Sequence, residues 1–259
     1  MLAAFLAPGW PTAWAAGVVV LLFVVVWAVG TRAGDVSIVD AFWGPAFVLV
    51  AATVALSASG DSALRWVLLG MTAVWGLRLG GFLLARFLRH DDEDPRYQEI
   101  RERHDEHFAV FSLVAIFGTQ ALAVLVVSLP IQVVAVSRDA IDASVVAGLL
   151  VWAFGVVVEG VADEQQRRFS KSSDDDVLDT GLWRYSRHPN KFGDCCAWWG
   201  IWLVAATVDG AWWTAVGPLL MTIVLVRGTA SGDDSDGSPA RERYERRTSR
   251  FVLLPPRAA

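Results

Sequence analysis

Three arginine- and carboxylate-bearing stretches interrupt an otherwise apolar chain. The densest is GLWRYSRHPNKFGD, residues 181–194. Arg184, Arg187 and Lys191 fall within eight residues there. Arginine offers a planar fork to phosphate, and lysine a point charge. Pro189 followed by an apolar run predicts the first turn of a helix. Such a helix start, with arginines just upstream, suits an anion. Asn190 adds an amide that both donates and accepts, and Asp194 an acceptor one turn on, suited to a ribose or a nicotinamide amide. The spacing alone is equally consistent with a phosphate-bearing cofactor and with lipid head groups beside a span.

A second stretch is EDPRY, residues 93–97, where Pro95 sets a turn or helix start and Arg96 and Tyr97 follow. The third set comprises ionisable residues in or beside apolar runs: Asp40, Arg78, Glu159 and Asp163. Charge near a bilayer centre costs several kcal/mol, which marks such residues as functional unless they reach water or pair. For Glu159 and Asp163, near a span's end, snorkelling to water is as good a reading as function. HDEH (104–107) sets two histidines one helical turn apart, but four histidines in the chain are too few for the boxes of a membrane di-iron enzyme. It reads as a solvated helix, and no metal site is expected. The adjacent Cys195 and Cys196 form no disulfide framework and read as small apolar helix residues.

These residues need a scaffold, and composition supplies its type. Of 259 residues 54% are hydrophobic, and mean hydropathy is +0.44. The excess lies in runs near the roughly 20 residues that cross a bilayer. The expected fold is all-α: one polytopic membrane domain over 1–259, with about seven spans near 12–30, 37–57, 64–87, 108–129, 143–162, 190–207 and 211–227. Arg32, then Arg86 to Arg103, then Arg167 to Lys191, then the tail share one side of such a bundle. The positive-inside rule puts that side in the cytoplasm and the N-terminus outside, in a prokaryotic plasma membrane. The Gly/Ser/Asp-rich 229–240 reads as a flexible acidic linker. Net charge is −5, with acidic clusters at 91–94, 174–176 and 233–236 that read as solvated loops. No basic, aromatic-interleaved face calls for nucleic acid as a partner. A Walker loop, a nucleophilic triad and a Rossmann glycine fingerprint are absent from the sequence.

DTGLWRYSRHPNKFGD followed by WWGIWL resembles the C-terminal signature of bacterial membrane proteins related to steroid 5-alpha-reductases. SIVDAFWG, WGLRL, EDPRY and RRTSRFVLLPP also resemble that family's pattern, in order, over about 37–257. The resemblance implies NADPH held from the cytoplasmic side. It also implies hydride transfer to a carbon–carbon double bond conjugated with a carbonyl, in a steroid-like or isoprenoid lipid within the membrane. It assigns Asp163, Arg167, Arg184, Tyr185, Arg187, His188, Asn190 and Asp194 to the cofactor, with Arg96 from the other loop. Asp40 matches an acidic residue that polarises the substrate carbonyl. The tyrosine that accompanies it in steroid-reducing relatives has Trp75 at the comparable place, which leaves Tyr97 as the other candidate donor. Lys191 replaces an aromatic residue of the pattern, and the stretch after Arg227 is short and acidic. The RHPN core is shared with isoprenylcysteine methyltransferases, so S-adenosylmethionine is the alternative cofactor. A relative that has lost activity is the third reading.

Overall fold

The computed structural model describes residues 11–58, 63–89, 92–136, 143–172, 177–230 and 238–257. The expected linker 229–240 falls largely on 231–237, outside the described residues, as do the acidic residues 174–176 and 233–236. Among the described residues the regular structure is helical: α1 (Pro11–Ala33), α2 (Trp43–Ser57), α3 (Leu64–Phe87), α4 (Pro95–Arg103), α5 (Asp105–Val127), α6 (Leu129–Val133), α7 (Ala143–Ser172), α8 (Pro189–Ala205), α9 (Val216–Ala230) and α10 (Pro239–Arg247). A 3-10 segment, Val36–Phe42, leads into α2, and residues Leu113–Gly118 of α5 are π-helical.

Among the described residues, five helical segments are long and apolar enough to cross a membrane: Pro11–Ala33, Val36–Ser57, Leu64–Phe87, Asp105–Val127 and Ala143–Ser170. They carry exposed leucines and valines such as Leu21, Leu56, Leu77, Leu122 and Leu150. That is the surface expected where the solvent is hydrocarbon. The other two expected spans are helices of 17 and 15 residues, α8 and α9. Both are shorter than the roughly 20 residues a perpendicular crossing requires. The fifth expected span ended at 162, yet α7 continues to Ser172. Glu, Gln and Arg in its last turns are good helix formers, so polarity there does not stop the helix.

The chain divides into two compact units, one formed within Met1–Asp142 and Ala205–Gly217, the other within Ala143–Val204 and Pro218–Ala259. In the first, α2 and α3 touch through glycines. A Cβ on Gly76 would lie 2.7 Å from the Gly44 carbonyl oxygen, so only hydrogen fits. Lipid gives helices no hydrophobic reason to associate, and such backbone proximity supplies the packing instead. Phe47 and Trp75 close the same interface edge-to-face at 5.6 Å.

In the second unit α7 and α8 use the same device. A Cβ on Gly193 would stand 2.5 Å from the Glu159 backbone nitrogen. This contact puts the polar start of α8 beside the acidic turn of α7.

Candidate functional site

The first unit builds its polar site at the end of α3 and the start of α2. Asp35 caps the 3-10 segment, accepting from the Ser37 N–H at 2.8 Å. That segment carries Asp40. The facing element is α4, and EDPRY forms its start as the sequence suggested: Asp94 is the N-cap, accepting from the Arg96 N–H at 3.0 Å, and Pro95 occupies the first turn. Pro there forgoes an N–H that would have no partner anyway.

Asp40 is gripped from both sides. The Tyr97 hydroxyl donates to Oδ1 at 2.8 Å, and the Arg96 guanidinium donates to Oδ2 at 3.0 Å. Arg96 also forks onto Asp94, at 2.9 and 3.0 Å. Its side chain is 60% exposed while that of Asp40 is 27% exposed. The Arg96 side-chain hydrogen bonds hold Asp94 below the ordinary carboxylate range. Burial, and then the Asp40 charge, push the Tyr97 hydroxyl well above its ordinary value. Tyr97 is therefore a neutral donor at physiological pH.

A cavity of about 560 Å³ opens beside Asp40 and Asp94, lined among others by Ser37, Leu83, Arg86 and Phe87. Its volume lies in the range of small-molecule pockets. Leu83 and Phe87 supply an apolar wall, and Asp40 and Ser37 a polar one.

Sequence reasoning missed Glu93. Its buried carboxylate accepts from the Val36 N–H at 2.8 Å and takes the Arg101 fork at 2.8 Å on each oxygen. The only signal was its place just before the cap residue of a proline-started helix. Trp75, at the place compared with a tyrosine, is a fully buried core residue.

The second unit builds its site where α8 begins. Asp163 and Glu159 are one turn apart on α7, at 4% and 2% exposure. Neither snorkels to water, and the tight Gly193 contact sets α8 directly against the backbone at Glu159. The Asn190 amide donates to Asp163 Oδ1 at 3.1 Å, so these two expected cofactor residues meet. Asp194 is buried one turn along α8. Gly181 has φ +60, a left-handed turn that suits glycine, and lets the Leu182 N–H reach the Gln165 side chain at 3.0 Å. Arg184 and Tyr185 follow it, both exposed.

The C-terminal segment ties this loop down. The Tyr244 hydroxyl donates to the Trp183 carbonyl at 2.7 Å. The Arg187 N–H donates to the Ser249 carbonyl at 2.8 Å, and the Leu254 N–H to the Tyr185 carbonyl at 3.1 Å. The Ser186 hydroxyl donates to the Phe251 carbonyl at 2.8 Å, and accepts from the His188 N–H at 3.1 Å.

Several expected phosphate contacts have partners within the chain. Arg167 pairs with Glu164 at 2.6 Å, and Arg187 lies 3.7 Å from Glu245. Lys191 donates to the Gly228 carbonyl at 2.7 Å, closing the end of α9.

These features define a helical membrane protein with one polar, cavity-lined site in the first unit and a strapped polar loop in the second. Residues 26–248 match the model of a family described as a protein of unknown function, DUF1295, and the chain belongs to that family. No curated protein and no solved structure matches it.

Proposed function

We propose that the protein is a membrane-embedded, NADPH-dependent reductase acting on a conjugated carbon–carbon double bond of a steroid-like or isoprenoid lipid. The observation that carries this reading is Asp40, which lines a cavity of about 560 Å³ with an apolar wall and accepts from the Tyr97 hydroxyl at 2.8 Å. Reducing an enone builds negative charge on its oxygen, and a hydrogen-bond donor already in place lowers that barrier. Tyr97 turns its O–H from Asp40 to the carbonyl oxygen. Arg96 stabilises the Asp40 carboxylate left behind. Leu83 and Phe87 line the side of the cavity that receives the lipid body.

The residues expected to hold NADPH fit it in chemical type. Arg184 is an exposed cation for phosphate, and the linked Asn190 and Asp163 with the buried Asp194 offer an amide and acceptors for hydroxyl and carboxamide groups. Tyr185 and His188 belong to the same loop, and Arg167 and Arg187 complete the part of the implied set that lies in this unit. When bound, the nicotinamide supplies a hydride. In this reading seven spans cross a prokaryotic plasma membrane, with α8 and α9 completing the set, and the polar loops face the cytoplasm.

One observation favours a second reading, a methyltransferase using S-adenosylmethionine. Arg167 and Arg168 are both paired with Glu164, and Arg187 with Glu245, which leaves less cationic charge for a pyrophosphate.

Thermal melting of the detergent-purified protein with NADPH, NADH or S-adenosylmethionine separates the two. A ligand of the native state stabilises it by roughly 2.7 kcal/mol at a hundredfold excess over Kd. The reductase reading expects a rise with NADPH, lost in Asn190→Ala. A rise with S-adenosylmethionine alone would overturn it.

A further inference from the structure

Helix α4 is nine residues long, and Tyr97 is its one buried residue. Isolated helices under about 12 residues are marginal in water. With no apolar face to dock, α4 is held against the 3-10 segment by polar contacts. Two of these lie away from Asp40. Glu93 accepts from the Val36 N–H at 2.8 Å, the first residue of that segment. Arg101, in the last turn of α4, forks onto Glu93 and donates to the Gly34 carbonyl at 3.1 Å. Its guanidinium also lies 4.0 Å from the Phe108 ring centroid.

The buried carboxylate thus joins both ends of α4 to the start of the segment, and the Tyr97–Asp40 bond forms one turn further on. We infer that Glu93 and Arg101 are positioning residues that set the register between Tyr97 and Asp40. Their importance to turnover rests on the reductase reading; their effect on the Tyr97–Asp40 bond does not.

The chain has three tyrosines, Tyr97, Tyr185 and Tyr244, so 3-fluorotyrosine labelling gives three fluorine signals, assigned by Tyr→Phe variants. Asp40, Arg96 and Asp94 are the charged groups acting on Tyr97, whose hydroxyl is held up mainly by burial. The measurement is the chemical shift of the Tyr97 fluorine signal at neutral pH in wild type, Glu93→Ala, Arg101→Lys and, as the reference for a lost bond, Asp40→Ala, without nucleotide or lipid. Arg101→Lys keeps the charge and loses the fork. Both Glu93→Ala and Arg101→Lys are expected to move that shift most of the way to the Asp40→Ala value, as α4 loosens and the Tyr97–Asp40 bond opens.

The Tyr185 and Tyr244 signals report whether the protein is folded. If Glu93→Ala does not fold, Arg101→Lys decides. A folded variant with lowered melting temperature and an unmoved Tyr97 fluorine shift would overturn the inference, because it leaves Glu93 and Arg101 with a stabilising role alone. Because no ligand is used, this outcome is independent of whether NADPH binds.

Discussion

The Asp40 cluster and the RYSRHPN loop are both polar, and they are built from different bonds. Around Asp40 charged side chains hold one another: Arg96 between Asp40 and Asp94, Arg101 on Glu93. Around Arg187 the main chain does the work, with carbonyls and N–H groups bonded to a segment about 65 residues later. The first arrangement can change one proton or one hydrogen bond without refolding. The second is a frame, whose shape depends on the C-terminal segment being in place. A donor in a reaction belongs in the first kind of site, and a binding loop in the second.

The largest effect expected in either region is steric. Gly193→Leu should abolish folded protein on size exclusion, since even a Cβ would stand 2.5 Å from the Glu159 backbone. Tyr97→Phe should separate chemistry from fold. It should lower the proposed turnover by about 100-fold, the scale of a positioned proton donor, and cost only about 1 kcal/mol of stability. Tyr244→Phe should act on the frame of the second region. Loss of its 2.7 Å bond to the Trp183 carbonyl should cost roughly 1 kcal/mol and speed hydrogen exchange at the Arg187 and Leu254 amides.

Acid should loosen the first region. Asp94 has a folded pKa below its ordinary 3.8, so its contribution is complete above that value and is lost as pH falls through the lower folded one. Alkali acts on Tyr97 in the opposite sense: its contribution is complete below its ordinary 10.0 and declines as pH rises beyond it. Melting temperature against pH, in wild type and in Asp94→Asn and Tyr97→Phe, checks both limbs. Smallest of all, Arg103→Ala removes an exposed pair with Glu99 and should move stability by under about 0.5 kcal/mol.

Five of the seven expected spans were legible because lipid imposes a simple demand of apolar length, and α3 runs over Leu64–Phe87 as its hydropathy suggests. The start of α4 was legible because Asp94 and Pro95 act locally. Asp40 and Tyr97 could each be named as a candidate donor but their bond could not, since it joins residues 57 apart. Glu93 was missed for the same reason. A carboxylate in an acidic run looks solvated until the Val36 N–H and Arg101 are seen to enclose it. For Glu159 and Asp163 reaching water and serving function read equally well; both are buried, and the Gly193 contact that sets α8 against Glu159 is not revealed by sequence spacing.

Hydride transfer tests the central claim most directly. The purified protein would be incubated with NADPH deuterated at the nicotinamide C4 and a neutral lipid extract, and the lipids and nucleotide analysed by mass spectrometry. The account predicts deuterium in a lipid that has gained two hydrogens in all, with the signal lost in Asn190→Ala and strongly reduced in Tyr97→Phe. Deuterium that stays on the nucleotide with the wild-type protein, while the methyl group of labelled S-adenosylmethionine passes to lipid, would contradict it.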